Sequence, residues 1–138
     1  ALSFIGAKAP EALLEAADSD VSEVRVAAIS ALGDQIQKSD DPRAQIRVFK
    51  ALDDISSEVR AEAVTLIGKS CDAEDVEHML RKKLIDEDNQ VRKNTAMALM
   101  KLEAYNSVES IERAKSAETD ESVQAVFNVA INILSRDL

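Results

Sequence analysis

Apolar side chains recur along this chain at helical spacing. From Val24 they fall at Ala28, Ala31 and Leu32, and from Val91 at Thr95, Ala98, Leu99 and Leu102, with Thr95 the small polar member. That order draws a stripe down one side of a 3.6-residue helix and does not alternate as a strand does. The segment Val24-Arg25-Val26-Ala27-Ala28-Ile29 aligns with Val59-Arg60-Ala61-Glu62-Ala63-Val64 and with Val91-Arg92-Lys93-Asn94-Thr95-Ala96. It aligns more weakly with Val123-Gln124-Ala125-Val126-Phe127-Asn128. The leading valines are spaced 35, 32 and 32 residues apart. A second helical pattern precedes each of them, over 10–17, 44–52, 73–85 and 108–117, striped by residues such as Ile46, Phe49, Leu52, Val76, Leu80 and Leu84.

Each valine-led segment follows an acidic, small-residue turn: Asp18-Ser19-Asp20, Asp53-Asp54-Ile55-Ser56-Ser57, Asp86-Glu87-Asp88-Asn89 and Thr119-Asp120-Glu121-Ser122. Side-chain oxygens of such residues cap the free N–H groups of a helix start, and their charge suits its positive end. The unit is therefore helix, tight turn, helix. One such hairpin cannot cover its own apolar face, whereas stacked copies can. The spacing predicts a single all-α repeat domain over 1–138, with hairpins at about 7–37, 41–70, 73–104 and 106–138.

The acidic turn, the Val-Arg pair and the Ala and Leu positions after it resemble HEAT repeats. The short period is similar to that of phycobilin lyase E/F-type subunits. The resemblance covers nearly the whole chain and implies a right-handed α-α superhelix, a solenoid of about four hairpins. In that family the arginine after the valine commonly pairs with turn aspartates between repeats. The resemblance thus implies an inter-repeat structural role for Arg25, Arg60 and Arg92, with Gln124 departing from the pattern. It is specific for fold and much less so for function, since this scaffold hosts many roles.

The two ends read differently. Residues 1–6 match the closing halves of the first and second aligned helices, Ile29–Gly33 and Val64–Gly68, so they are expected to be the tail of a truncated helix from a longer array. Near the other end, Asn128 stands where Ile29, Val64 and Ala96 stand in earlier repeats, one turn from Gln124 and Asn132. Burying amides is costly, so this polar stripe reads as an end cap, with a true C-terminus near Leu138.

Composition narrows the chemistry. Of 138 residues, aromatics are 3%, with no Trp and 3 Gly, which disfavours a β-sandwich or barrel. Net charge is −9, the wrong sign for a protein that mainly grips phosphate backbones, so no nucleic-acid partner is expected. Residues 69–101 are balanced between more acidic ends. No stretch reads as a membrane span or signal peptide, and the expected setting is reduced and cytoplasmic. One Cys and one His leave no thiolate zinc site or multi-histidine centre, so neither metal nor cofactor is expected. The acidic turns lack the ligand spacing and glycine of a calcium loop. Cys71 reads as a half-buried structural thiol, His78 as a packed or surface residue, and Arg81-Lys82-Lys83 as cations complementing a helix end.

Second helices of such arrays line the concave face. There the expected partner-binding residues are Ser30, Glu62, Thr65, Lys69, Lys93, Asn94, Met97 and Lys101, with Val126, Val129 and Ile133 continuing the columns. Lysines beside apolar side chains suit an acidic or amphipathic protein segment. The main reading is a non-enzymatic scaffold that binds another protein. A phycobilin lyase-like or other chromophore-handling subunit is the alternative, disfavoured by so few aromatics. A structural or oligomerisation segment, self-associating through Leu2, Phe4 and Ile5, is a further one. No nucleophile motif or phosphate loop is present, so an enzymatic role has no candidate residues.

Overall fold

A computed structural model describes residues 8–38 and 41–136. Among them the chain is all-α, with eight helices in four hairpins. The expectations for residues 1–6 and for an associating edge at Leu2, Phe4 and Ile5 lie outside the described residues. The helices fall into two compact units, residues 1–70 and 71–138.

In the first unit, α1 (Lys8–Ala16) is followed by α2 (Ser22–Lys38), and α3 (Pro42–Lys50) by α4 (Ser57–Ser70). Helix α2 is central and packs on α1, α3 and α4. Leu13, Ile29, Leu32, Val48 and Val64 are fully enclosed, as the helical stripe requires. Gly33 lets α2 and α4 approach: a Cβ there would lie 2.5 Å from Leu66 Cδ2. Asp41 caps α3, accepting from the Arg43 amide at 3.0 Å, and Pro42 sits at the first helical position, where its missing N–H costs nothing.

The second unit repeats the scheme with α5 (Ala73–Arg81), α6 (Asn89–Lys101), α7 (Val108–Ala117) and α8 (Glu121–Ser135). Val76, Leu80, Val91, Leu99, Ile111, Phe127 and Leu134 form its core. Asp88 caps α6 through the amides of Gln90 and Val91, both at 3.0 Å, and Asp120 caps α8 through those of Ser122 and Val123.

Two local expectations are corrected. The patterns over 44–52 and 73–85 are not continuous α-helix: each closes in a tighter 3₁₀ turn, Ala51–Asp53 and Lys82–Ile85. The tighter winding spends fewer residues on the reversal into the next helix. Val24, placed on the buried stripe, is exposed, whereas its counterparts Val59, Val91 and Val123 are buried.

A carboxylate ladder and the face of the second helices

The turns share one hydrogen-bonding scheme. Asp54 accepts from the Ser56 amide at 2.8 Å, Asp86 from Asp88 at 2.9 Å, and Glu118 from Asp120 at 3.1 Å. In the first repeat a hydroxyl serves instead: Ser19 Oγ accepts from the Val21 amide at 3.1 Å. Six residues beyond each of these, a side chain donates back to the same residue's carbonyl. Arg25 donates to Ser19 O at 2.9 Å, Arg60 to Asp54 O at 2.8 Å, Arg92 to Asp86 O at 2.9 Å and Gln124 to Glu118 O at 2.6 Å. Gln124 therefore keeps the turn-closing bond of the arginines.

Within each unit one arginine also reaches the next turn. Arg25 forks onto Asp54 with both contacts at 3.0 Å, and Arg92 onto Glu118 at 2.7 and 2.9 Å. Burial pushes the carboxyls of Asp54 and Glu118 up, but hydrogen bonds from arginine and turn amide, with the arginine charge, outweigh it and hold both below the usual range. Glu118 is not among the turn aspartates read from sequence; its place 32 residues after Asp86 is the signal that finds it.

The candidate face is built on the second helices. In the first unit, Ser30 on α2 and Glu62 on α4 are half-buried, while Thr65 and Lys69 are exposed. The Thr65 hydroxyl donates to the Ala61 carbonyl at 3.2 Å. In the second unit, Lys93 and Asn94 are half-buried, and Asn94 accepts from Gln90 at 2.7 Å. Met97 is 44% exposed and Lys101 is exposed one turn further along α6. Helix α8 packs on α6 and carries Val129 and Ile133, 49% and 40% exposed, at the matching repeat positions. The second unit thus presents an apolar column with a cation at one end.

Sequence reading missed a polar cluster beneath α7. Ser107 Oγ donates to Glu77 at 2.7 Å and accepts from Arg81 Nε at 2.9 Å, and Arg81 also pairs with Glu77 at 2.9 Å. Arg81 is therefore a structural tie as well as a helix-end cation. Cys71 is half-buried, and burial, with Asp72 and Asp75, raises its pKa, the opposite of an activated thiol. His78 is exposed. Among the described residues no group of His, Cys, Asp and Glu could hold a metal ion, and no helix is long and apolar enough to cross a membrane.

Comparison with known proteins follows the same lines. The family model for HEAT repeats matches residues 47–134. The bilin biosynthesis protein MpeU of Synechococcus sp. (strain WH8020) is 46% identical over 136 residues, which covers 99% of this chain and 46% of that protein. The chain thus spans about half the length of this relative. The crystal structure of an engineered protein, 24% identical, matches with a TM-score of 0.61 over 91% of this chain and 62% of its own, a likeness of fold alone. With its repeated turns, ladder and paired helices, the chain belongs to the HEAT repeat family, in the α-solenoid class of all-α folds.

Proposed function

We propose that this chain is a bilin-handling HEAT-repeat protein and that the face formed by α6 and α8 receives the chromophore. The observation that carries the reading is the 46% identity to a bilin biosynthesis protein, sustained over 99% of this chain. It reverses the order of preference taken from composition, where few aromatics counted against a chromophore. The surface chemistry supports the reversal. A bilin is an open-chain tetrapyrrole with an extended apolar body and propionate carboxylates. Met97, Val129 and Ile133 offer exposed apolar area to such a body, and Lys101 offers a cation to a propionate. Aliphatic and thioether side chains can supply that contact without aromatic rings.

The test is spectroscopic. A linear bilin incubated with the chain should show a shifted and sharpened long-wavelength band, because a bound tetrapyrrole loses conformational freedom. A spectrum identical to that of the free bilin, at protein in excess, overturns the proposal.

A second reading concerns the first unit. There the second-helix face is polar and charged through Glu62, Thr65 and Lys69, which favours a protein segment over an apolar chromophore. We infer that this part of the face meets a partner protein, in a reduced cytoplasmic setting. Lys69→Glu should weaken that association without lowering thermal stability, and unchanged affinity would contradict it.

A further inference from the structure

The last 3₁₀ turn of the first hairpin in the second unit and helix α7 enclose an open groove of about 320 Å³. Its floor is apolar: Leu84, Ile85, Ala114 and Ala117. Ile85 is 74% exposed, a large hydrophobic side chain held in water. Arg81, Lys82 and Arg113 line the same groove. Arg81 is engaged with Glu77, whereas Lys82 and Arg113 form no ion pair among the described residues. The floor continues toward the ladder, where Asp86, Glu87, Arg92 and Glu118 line it, so the positive end is the one marked by Lys82 and Arg113.

The repeat itself shows that this chemistry is a departure. Counting back from the turn acids Asp54, Asp86 and Glu118, the residue just before is Asp53, Ile85 and Ala117, and before Ser19 it is Asp18. The first-unit groove that matches the ladder side of this floor is lined by Asp18, Asp53 and Asp54 with Arg25, Arg47 and Lys50, beside Ile55. There Arg47 pairs with Asp18 at 3.1 Å and Arg25 with Asp54 at 3.0 Å, so its cations face carboxylates of the same chain. In the second unit both register aspartates are replaced by apolar residues, and Arg47 and Lys50 have the apolar counterparts Ile111 and Ala114. Lys82 and Arg113 stand where the first unit has Glu15 and Phe49, so the apolar floor and its cations are both particular to this unit. The fold does not need this change, because the first unit folds the same hairpins without it.

We propose that this groove docks an acidic amphipathic helix of another protein, independently of the bilin reading. An apolar stripe on such a helix would cover Ile85, Ala114 and Ala117, and its flanking carboxylates would meet Lys82 and Arg113. In a chain of net charge −9, a local positive rim is what directs an acidic segment to this place.

The probe is a fluorescein-labelled synthetic peptide with leucines at helical spacing flanked by glutamates, read by fluorescence anisotropy. Saturable binding in the range of about 10–100 µM is expected, weakening as salt rises. Lys82→Glu with Arg113→Glu should cut affinity at least ~10-fold, and so should Ile85→Asp, with circular-dichroism melting curves confirming that each variant folds. The same peptide with lysines for glutamates should not bind. Equal affinity for wild type and variants, equal binding of the basic peptide, or no binding overturns the proposal. So does sedimentation of the chain with anionic vesicles when the acidic peptide fails to bind.

Discussion

At the residue scale the stability of this chain turns on guanidinium–carboxylate pairs that are nearly dry. The Glu118 side chain is 3% exposed and Arg92 14%, so neither is a surface ion pair. Removing Arg92 alone leaves a buried carboxylate with fewer partners, and Arg92→Ala should cost about 2–4 kcal/mol by urea unfolding. The pH dependence follows from the depressed carboxyls. Asp54 and Glu118 ionise more readily folded than unfolded, so their contribution is complete above the unfolded carboxylate range, near ~4, and is lost as pH falls through the lower folded values. The midpoint of thermal unfolding should drop below about pH 4, and the gap between wild type and Arg92→Ala should narrow there. A gap that is constant from pH 7 to about 3 would remove Glu118 from the ladder. Part of this was legible: the valine–arginine pairs and acidic turns stand in the sequence at a fixed period. Glu118 was hidden because a turn with three acidic candidates in four positions, Glu118, Asp120 and Glu121, does not say which carboxylate an arginine from the preceding hairpin can reach.

At the element scale, helix ends carry the local information. Asp88 accepts two amides at the start of α6, and Asp88→Ala should cost ~1 kcal/mol in chemical denaturation. The other end of α6 stops against its own propensity. Glu103 has φ 55°, in the left-handed region, while the Ala104 amide donates to Leu99 O and the Glu103 amide to Met100 O, both at 3.0 Å. This is the Schellman stop, with glutamate where glycine is favoured. Glu103→Gly should stabilise by about 0.5–1 kcal/mol, and a loss of stability would contradict that reading of the turn. The N-terminal caps were readable because Asp in a turn ahead of an apolar stripe has a specific partner. This C-terminal stop was not, because a glutamate carries no left-handed preference and only the surrounding packing imposes it. The 3₁₀ closures at Ala51–Asp53 and Lys82–Ile85 escaped for a similar reason: over so few residues the stripes of a 3₁₀ turn and an α-helix coincide.

At the scale of the whole molecule, the fold was legible because its signal is repeated, so each weak local preference is counted several times. Leu32 and Ile67 occupy matching places and are fully buried, and truncation of either to alanine should cost ~2–5 kcal/mol. Function was much less so. A HEAT-repeat face is read by which exposed positions are apolar or charged: helical spacing puts Met97, Val129 and Ile133 on outward columns, where the structure exposes them, but spacing does not say what chemistry they meet there. The outer groove was concealed further, since Arg81-Lys82-Lys83 is followed by an exposed Ile85 whose meaning depends on Arg113 and Ala117 from the next hairpin.

Amide chemical-shift mapping of the isotopically labelled chain during a bilin titration locates the bound chromophore residue by residue. Shifts concentrated on Met97 to Lys101 and Val129 to Ile133, and abolished together in Lys101→Glu with Ile133→Glu, are expected. Shifts confined to other surfaces, or none at saturating bilin, would contradict it.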